Sequence, residues 1–186
     1  MDRDVADEDL MLRYRDGDAA AFETLYTRHK GGLFRFIARQ CEDRAHAEEI
    51  FQEVWMNLIA ARSRYRVEAK FVTYLYHLAH NRLIDHYRKH KGRVPVSFDD
   101  EDCAEVAEFA DPHQKSIEEK LTLKQQVEKL LKLLTQLPEA QREAFLLHEE
   151  AGLSMEEIAR VTGVSKEAAK SRLRYALAKL REGLHE

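Results

Sequence analysis

Apolar residues along the chain recur at intervals of three and four, the spacing that lines one face of an α-helix. In the first ninety residues Phe22, Leu25, Tyr26, Leu33, Phe34 and Ile37 form one such stripe. Ala47, Ile50, Phe51, Val54, Trp55, Leu58 and Ile59 form a second, and Leu75, Leu78, Ala79 and Leu83 a third. The punctuation agrees with the period: Asp7 and Asp18 are placed to cap helix starts, the third helix begins near Asp43, and Gly17, Gly92 and Pro95 end helices. The segment SRYRVEAK reads as a turn leading into a fourth helix, from Phe71 through about Lys91. The period resumes with Ile117, Leu121, Val127, Leu131, Leu134 and Leu137. Pro138 opens a helix carrying Phe145, Leu146 and Leu147, which Gly152 ends. Ser154 stands three residues before Glu157, a capping-box pattern. The short helix it starts stops at Gly163, and Ser165 caps a long final helix. With no repeat and no strand-like alternation, the pattern predicts an all-α chain.

Composition narrows this further. The 186 residues are 34% charged and 44% hydrophobic, and seven Gly and three Pro leave little room for a many-stranded fold. No apolar run approaches the ~20 residues of a membrane span. The opening MDRDVADEDL is acidic where a signal peptide would be basic and then apolar. Cys41 and Cys103 stand alone and far apart, so neither a disulfide framework nor a CxxC metal site is written, and a reducing cytoplasm is the expected location. The net charge of −4 conceals a segregation: +2 over residues 1–96, −8 over 97–119 and +2 over 120–186. Two near-neutral blocks flanking an acidic connector imply two small helical domains, 1–94 and 118–186, joined by a linker, 95–117. On composition alone that linker is a solvated strap.

The last two helices have the layout of a helix-turn-helix. Ala159 is small where helices must approach closely, Gly163 makes the turn and Val164 packs beneath it. In the final helix Ala169, Leu173, Ala176, Leu177 and Leu180 make the buried stripe. At about 100° per residue the opposite face presents Glu167, Ser171, Arg174 and Tyr175, flanked by Lys166, Lys170 and Arg172. From Lys166 to Arg181 there are six Lys and Arg against one acid. Such a helix suits the major groove, with outward residues on base edges and flanking cations on phosphates. A solvated amphipathic helix has the same outline.

The fourth helix carries Tyr74, His77, Asn81 and Arg88 beside its apolar stripe at near-heptad spacing, with Asp85 between the last two. A ring to lie on, an edge to pair with and a cation for the backbone are what an unstacked base requires. Lys89, Lys91 and Arg93 follow, where they could track phosphates. A solvated helix face is the plain alternative. Zinc is a sharper one, because His77/His80 and His86/His90 have ligand spacing. The two pairs face different sides of the helix, however, and no Cys or paired carboxylate joins either, so no metal or cofactor is expected.

Four stretches, DAAAFETLYTRH, AHAEEIFQEVWMNLI, KFVTYLYHLAHNRLIDHYRKHK and LTQLPEAQREAFLLHEEAGLSMEEIARVTGVSKEAAKSRLRYALAKLRE, resemble in order the motifs of bacterial RNA polymerase sigma factors of the sigma-70 family. The likeness is to the extracytoplasmic-function (ECF) group, which keeps only regions 2 and 4. It implies a non-enzymatic protein whose front domain is a region 2 helical bundle and whose rear domain is a region 4 helix-turn-helix. Glu49, Gln52, Glu53 and Asn57 would then dock on the clamp helices of the polymerase's largest subunit, with the flap region as a further contact. Tyr65 and the turn after it, with Tyr74 and Asn81, would capture a flipped base of the melted −10 element. Lys170, Ser171, Arg174 and Tyr175 would read the −35 element. Family members often have Gly-Thr-Val where this chain has Glu167-Ala168-Ala169. Glu167 cannot hug a phosphate as Gly can, though it could accept from a cytosine amino group. The resemblance implies promoter DNA and core polymerase as partners, an anti-sigma protein as a possible third, and an acidic connector (Asp99 to Glu108) able to lie in a positively charged RNA channel. Two rivals from other classes are a dimeric helix-turn-helix regulator acting without polymerase and a hydrolase built on the histidine pairs.

Overall fold

A computed structural model describes residues 5–90 and 117–185, without the side chains of residues 90 and 117–122. The acidic connector lies outside the described residues, and with it Lys91, Gly92, Arg93, Pro95 and Cys103. The helices are α1 (Asp7–Arg15), α2 (Ala19–Ala38), α3 (Arg44–Ala61), α4 (Phe71–His90), α5 (Ile117–Gln136), α6 (Glu139–Glu149), α7 (Met155–Thr162) and α8 (Lys166–His185). One 3₁₀ turn, Arg62–Arg64, precedes α4, and no strand occurs among the described residues. The all-α expectation holds.

Most helix starts follow the local chemistry of the sequence. The Asp18 carboxylate accepts from the backbone N–H groups of Ala20 and Ala21, and that of Asp43 accepts from His46. Asp7 is a correction. It is the first residue of α1 rather than its cap, and Ala6 in the cap position offers no side chain. Its carboxylate reaches Arg28 at 2.6 Å and His29 at 2.7 Å on α2. Burial pushes the Asp7 carboxyl up, but hydrogen bonds from His29 and Arg28 outweigh that and hold it below the usual range. Two side-chain partners on α2 outbid one backbone amide. The neighbouring Glu8 performs a longer-range service: its carboxylate accepts from the Phe71 N–H at 2.6 Å and so caps α4 from α1.

α1 to α4 pack around Leu10, Met11, Leu25, Leu33, Phe36, Val54, Leu58, Phe71, Leu75 and Leu83, all essentially without solvent contact. Trp55 meets Tyr26 and Phe22 edge-on, with ring centroids 4.9 and 5.8 Å apart. Cys41 is buried at the end of α2, and burial, with Asp43 adding to it, pushes its thiol up to about 12. α5 to α8 enclose Leu134, Leu146, Leu147, Ile158, Val161 and Leu180. α6 packs along α8, and α5 crosses α8 so closely that a Cβ at Gly183 would overlap the Leu133 side chain. α4 lies against α7, bringing the two groups of helices together.

Tyr65, just after the 3₁₀ turn, is only 6% exposed. Its ring stands 5.3 Å from that of Tyr74 in an edge-on arrangement, and its hydroxyl has no hydrogen-bond partner among the described residues. Burial pushes the phenol up to about 12, with Glu8 contributing in the same direction.

Two stability predictions follow from these contacts. Glu8→Ala removes the distant cap of α4 and should cost about 1 kcal/mol in urea or thermal denaturation. Tyr65→Phe removes a buried hydroxyl that makes no bond, so it should leave stability unchanged or raise it by up to about 2 kcal/mol. A loss in that second measurement would show that the hydroxyl has a partner.

Candidate nucleic-acid interface

The carboxy-terminal site is built on α7 and α8. Ser154 Oγ accepts from the Glu157 N–H at 3.3 Å, and Glu157 Oε2 accepts from the Ser154 N–H at 2.8 Å. The capping box expected from the sequence is complete. Gly163 takes φ +67° at the end of α7, a left-handed conformation that carries no steric cost for glycine. The Val164 N–H then closes the turn onto the Ala159 carbonyl. Ser165 Oγ accepts from the Ala168 N–H at 3.1 Å and starts α8.

Burial of Ala169, Leu173, Ala176 and Leu180 fixes the rotation of α8. Glu167, Lys170, Arg174 and Tyr175 are consequently exposed, while Ser171 and Arg172 lie half-buried at the margin. Tyr175 is 54% exposed, and the Arg174 guanidinium stands 5.2 Å from its ring centroid, a cation–π pair that orders both side chains at the surface. Lys166 is committed to an ion pair with Glu156 of α7, which raises its pKa and lowers that of the carboxyl, each through their hydrogen bond. Of the residues expected along this face, Lys166 alone is tied back to the preceding helix.

On α4 the expected stripe divides. Asn81, Arg88 and Lys89 are exposed, and Lys91 lies outside the described residues. Tyr74 is half-buried against Tyr65, and burial raises its pKa. His77 donates from Nδ1 to the Val161 carbonyl of α7 at 3.1 Å. Arg82 leans toward Glu53 and Asp85, at 3.9 and 3.7 Å. Tyr65, expected to face a flipped base, lies instead beneath Tyr74, because the short turn delivers its ring into the gap between α1 and α4.

Around it the chain exposes Arg64, Arg66 and Val67, which the sequence reading passed over. The alternation Arg-x-Arg-x-Arg across residues 62–66 was the available signal. Arg62, the first of the three, lies over the Tyr14 ring at 5.4 Å.

Of the histidines expected as metal ligands, the side chain of His90 lies outside the described residues. His77 and His80 bond to different partners, the latter to Glu143 at 2.7 Å, while the His86 ring meets His46 at 5.0 Å. Among the described residues no group of three metal-ligating side chains occurs.

The outer face of α3 holds Glu49, Gln52 and Glu53 in the open, with Asn57 partly so. Met56, 64% exposed, lies among them, an apolar side chain that the sequence reading omitted although it falls seven residues after Glu49. An exposed methionine ringed by polar groups is a common form of protein-docking surface.

The Sigma-70 region 2 family matches residues 25–93, and the Sigma-70, region 4 family matches residues 127–180. The RNA polymerase sigma factor CarQ of Myxococcus xanthus is 35% identical over 177 residues, covering 95% of this chain and 96% of its own. The RNA polymerase sigma-H factor of Pseudomonas aeruginosa is 33% identical, covering 90% and 88%. In fold, the chain resembles CnrH in complex with the cytosolic domain of CnrY, with a TM-score of 0.69, 21% identity and coverage of 96% and 97%. It equally resembles the sigma factor RpoE in complex with the anti-sigma factor NepR from Bartonella quintana, with a TM-score of 0.69, 20% identity and coverage of 88% and 96%. Among the described residues no helix is long and apolar enough to cross a membrane. Matched by both regions and along nearly its whole length, the chain belongs to the sigma-70 family of RNA polymerase sigma factors, of the non-enzymatic ECF type.

Proposed function

We propose that the chain divides promoter recognition between two domains, 1–94 and 118–186, joined by the linker 95–117. The rear domain lays α8 in the major groove of the −35 element. Arg174 and Tyr175 contact base edges, Lys170 and Arg172 neutralise phosphates, and Glu167 accepts from a cytosine amino group. The front domain holds a strand of the melted −10 element on α4, with Tyr74 as the stacking surface, Asn81 as the hydrogen-bonding edge, and Arg88 and Lys89 on the backbone. The outer face of α3 docks on the polymerase clamp helices. The observation that carries this reading is the rotation of α8: one face is fully buried, and the opposite one offers exposed Lys170, Arg174 and Tyr175 at the end of a complete helix-turn-helix.

Energetics decide how the labour is shared. Unstacking one base costs a few kcal/mol, and a ring beneath it returns ~1–3 kcal/mol. Capture of a single base therefore roughly breaks even, and the balance falls to contacts with backbone and polymerase. With Tyr65 beneath Tyr74, the upper ring is the stacking surface and the lower one its support. Arg64 and Arg66 are suitably placed to neutralise phosphates of the same strand. The relatives CnrH and RpoE, solved with CnrY and the anti-sigma factor NepR respectively, support a regulatory protein partner for this chain as well.

Run-off transcription with core polymerase, paired with permanganate footprinting, tests the division. Arg174→Ala should weaken promoter recruitment about tenfold or more, since one good bidentate contact is worth ~1–3 kcal/mol. Asn81→Ala should leave recruitment near normal while reducing strand opening. Equal effects of both substitutions on recruitment would contradict the proposal.

A further inference from the structure

The nine residues between α3 and α4, Arg62 to Lys70, are fastened to α1 at both ends and in the middle. At the start the Arg62 guanidinium stands 5.4 Å from the Tyr14 ring centroid. In the middle Tyr65 is buried beside Tyr74, with Glu8 of α1 close by. At the end the Phe71 N–H donates to the Glu8 carboxylate at 2.6 Å. α1 is in turn fastened to α2. Asp7 meets Arg28 and His29, and the His29 ring stands 5.3 Å from that of Phe71.

Glu8 and Tyr14 are six positions apart, about 9 Å along a helix axis, whereas nine residues of chain can reach roughly 30 Å. The surplus arches outward. The Glu68 N–H closes a three-residue turn onto the Arg66 carbonyl at 3.0 Å, which puts Val67 at the tip. Arg64, Arg66 and Val67 are all exposed, while Tyr65 between the two arginines is the inward anchor.

We infer that α1 is a splint for this loop, and that Glu8 is a positioning residue for strand opening because it fixes where Arg64 and Arg66 stand. The physical reason is entropy. A loop ordered in advance meets a strand without having to be frozen at that moment, whereas a loose one loses affinity in proportion to the time it spends in other shapes. Among the fastenings Glu8 counts most. A carboxylate accepting from a backbone N–H at a helix start also meets the positive end of that helix, here α4. The Arg62 contact is made by an exposed side chain and is weaker. The link to strand opening rests on the proposed contacts of Arg64 and Arg66 with the strand; the splint itself does not.

Trypsin cuts after arginine, so the loop carries its own reporter. In the full-length chain Glu8→Ala should raise the rate of cleavage after Arg64 and Arg66 about fivefold under native conditions, the factor that matches loss of one helix cap. Arg62→Gln, a surface substitution outside the core, should raise it about twofold. Glu8→Gln keeps an oxygen that accepts from the Phe71 N–H and should return cleavage close to the wild-type rate. With core polymerase and promoter DNA, E8A should lower permanganate-detected opening about fivefold while recruitment stays near normal, and E8Q should restore opening. Unchanged cleavage in both E8A and R62Q overturns the splint, as does an E8Q chain that behaves like E8A. Equal losses of recruitment and opening in E8A would reduce Glu8 to a residue that merely stabilises the fold. Should cleavage rise while opening holds, R64A/R66A locates the error: opening lost in that variant sinks Glu8 as a positioning residue, and opening retained sinks the strand contacts themselves.

Discussion

Burial of Phe71, Leu75, Ala79 and Leu83 sets the rotation of α4, and everything that helix offers to solvent follows from it. A helix that gives one stripe to a core has no freedom in what the remaining faces display. Asn81 points outward because Ala79 and Leu83, two residues to either side and so about 200° around the helix, point inward. The same constraint governs α8, where four buried small or aliphatic residues leave Arg174 and Tyr175 no direction but out. It governs α3 too, whose Val54, Trp55 and Leu58 turn Gln52, Glu53 and Met56 to the surface. Each candidate surface is therefore the reverse side of a core, and a substitution in the core acts on recognition by turning the helix as well as by loosening it.

How legible this was in the sequence depended on how far away the deciding contact lay. Asp18, the Ser154–Glu157 box and Gly163 all act within four residues of themselves, and the sequence shows them directly. Tyr65 is different. Read in isolation, an aromatic flanked by arginines in a turn belongs at the surface, but its burial is decided by α1, more than fifty residues earlier, and by Tyr74. Asp7 misled for the same reason, since its true partners lie 21 and 22 residues on. The polar edge of α6 was invisible because its glutamates have the spacing of an ordinary solvated face. Only the partners, 63 residues away for Glu143 and 115 for Glu150, give them a different meaning. Met56 could have been found, because it continues the α3 face at helical spacing.

Two kinds of interface coexist in the molecule, and their chemistry distinguishes them. Within each group of helices the core contacts are aliphatic and aromatic, with Trp55 beside three other rings and Gly183 giving way to Leu133. Apolar packing of that kind is lost only on unfolding. Between the groups, carboxylates meet guanidinium, ammonium and imidazole groups, whose mutual attraction is nearly matched by what water offers them.

Cys41 illustrates what enclosure does to chemistry. With its thiol pushed up to about 12, the side chain stays protonated at neutral pH, and it is the thiolate that attacks peroxides and disulfides. The Cys41 sulfur is thereby shielded from oxidants as long as the front bundle stays folded. A sulfur that could have served as a stress detector is kept as filling.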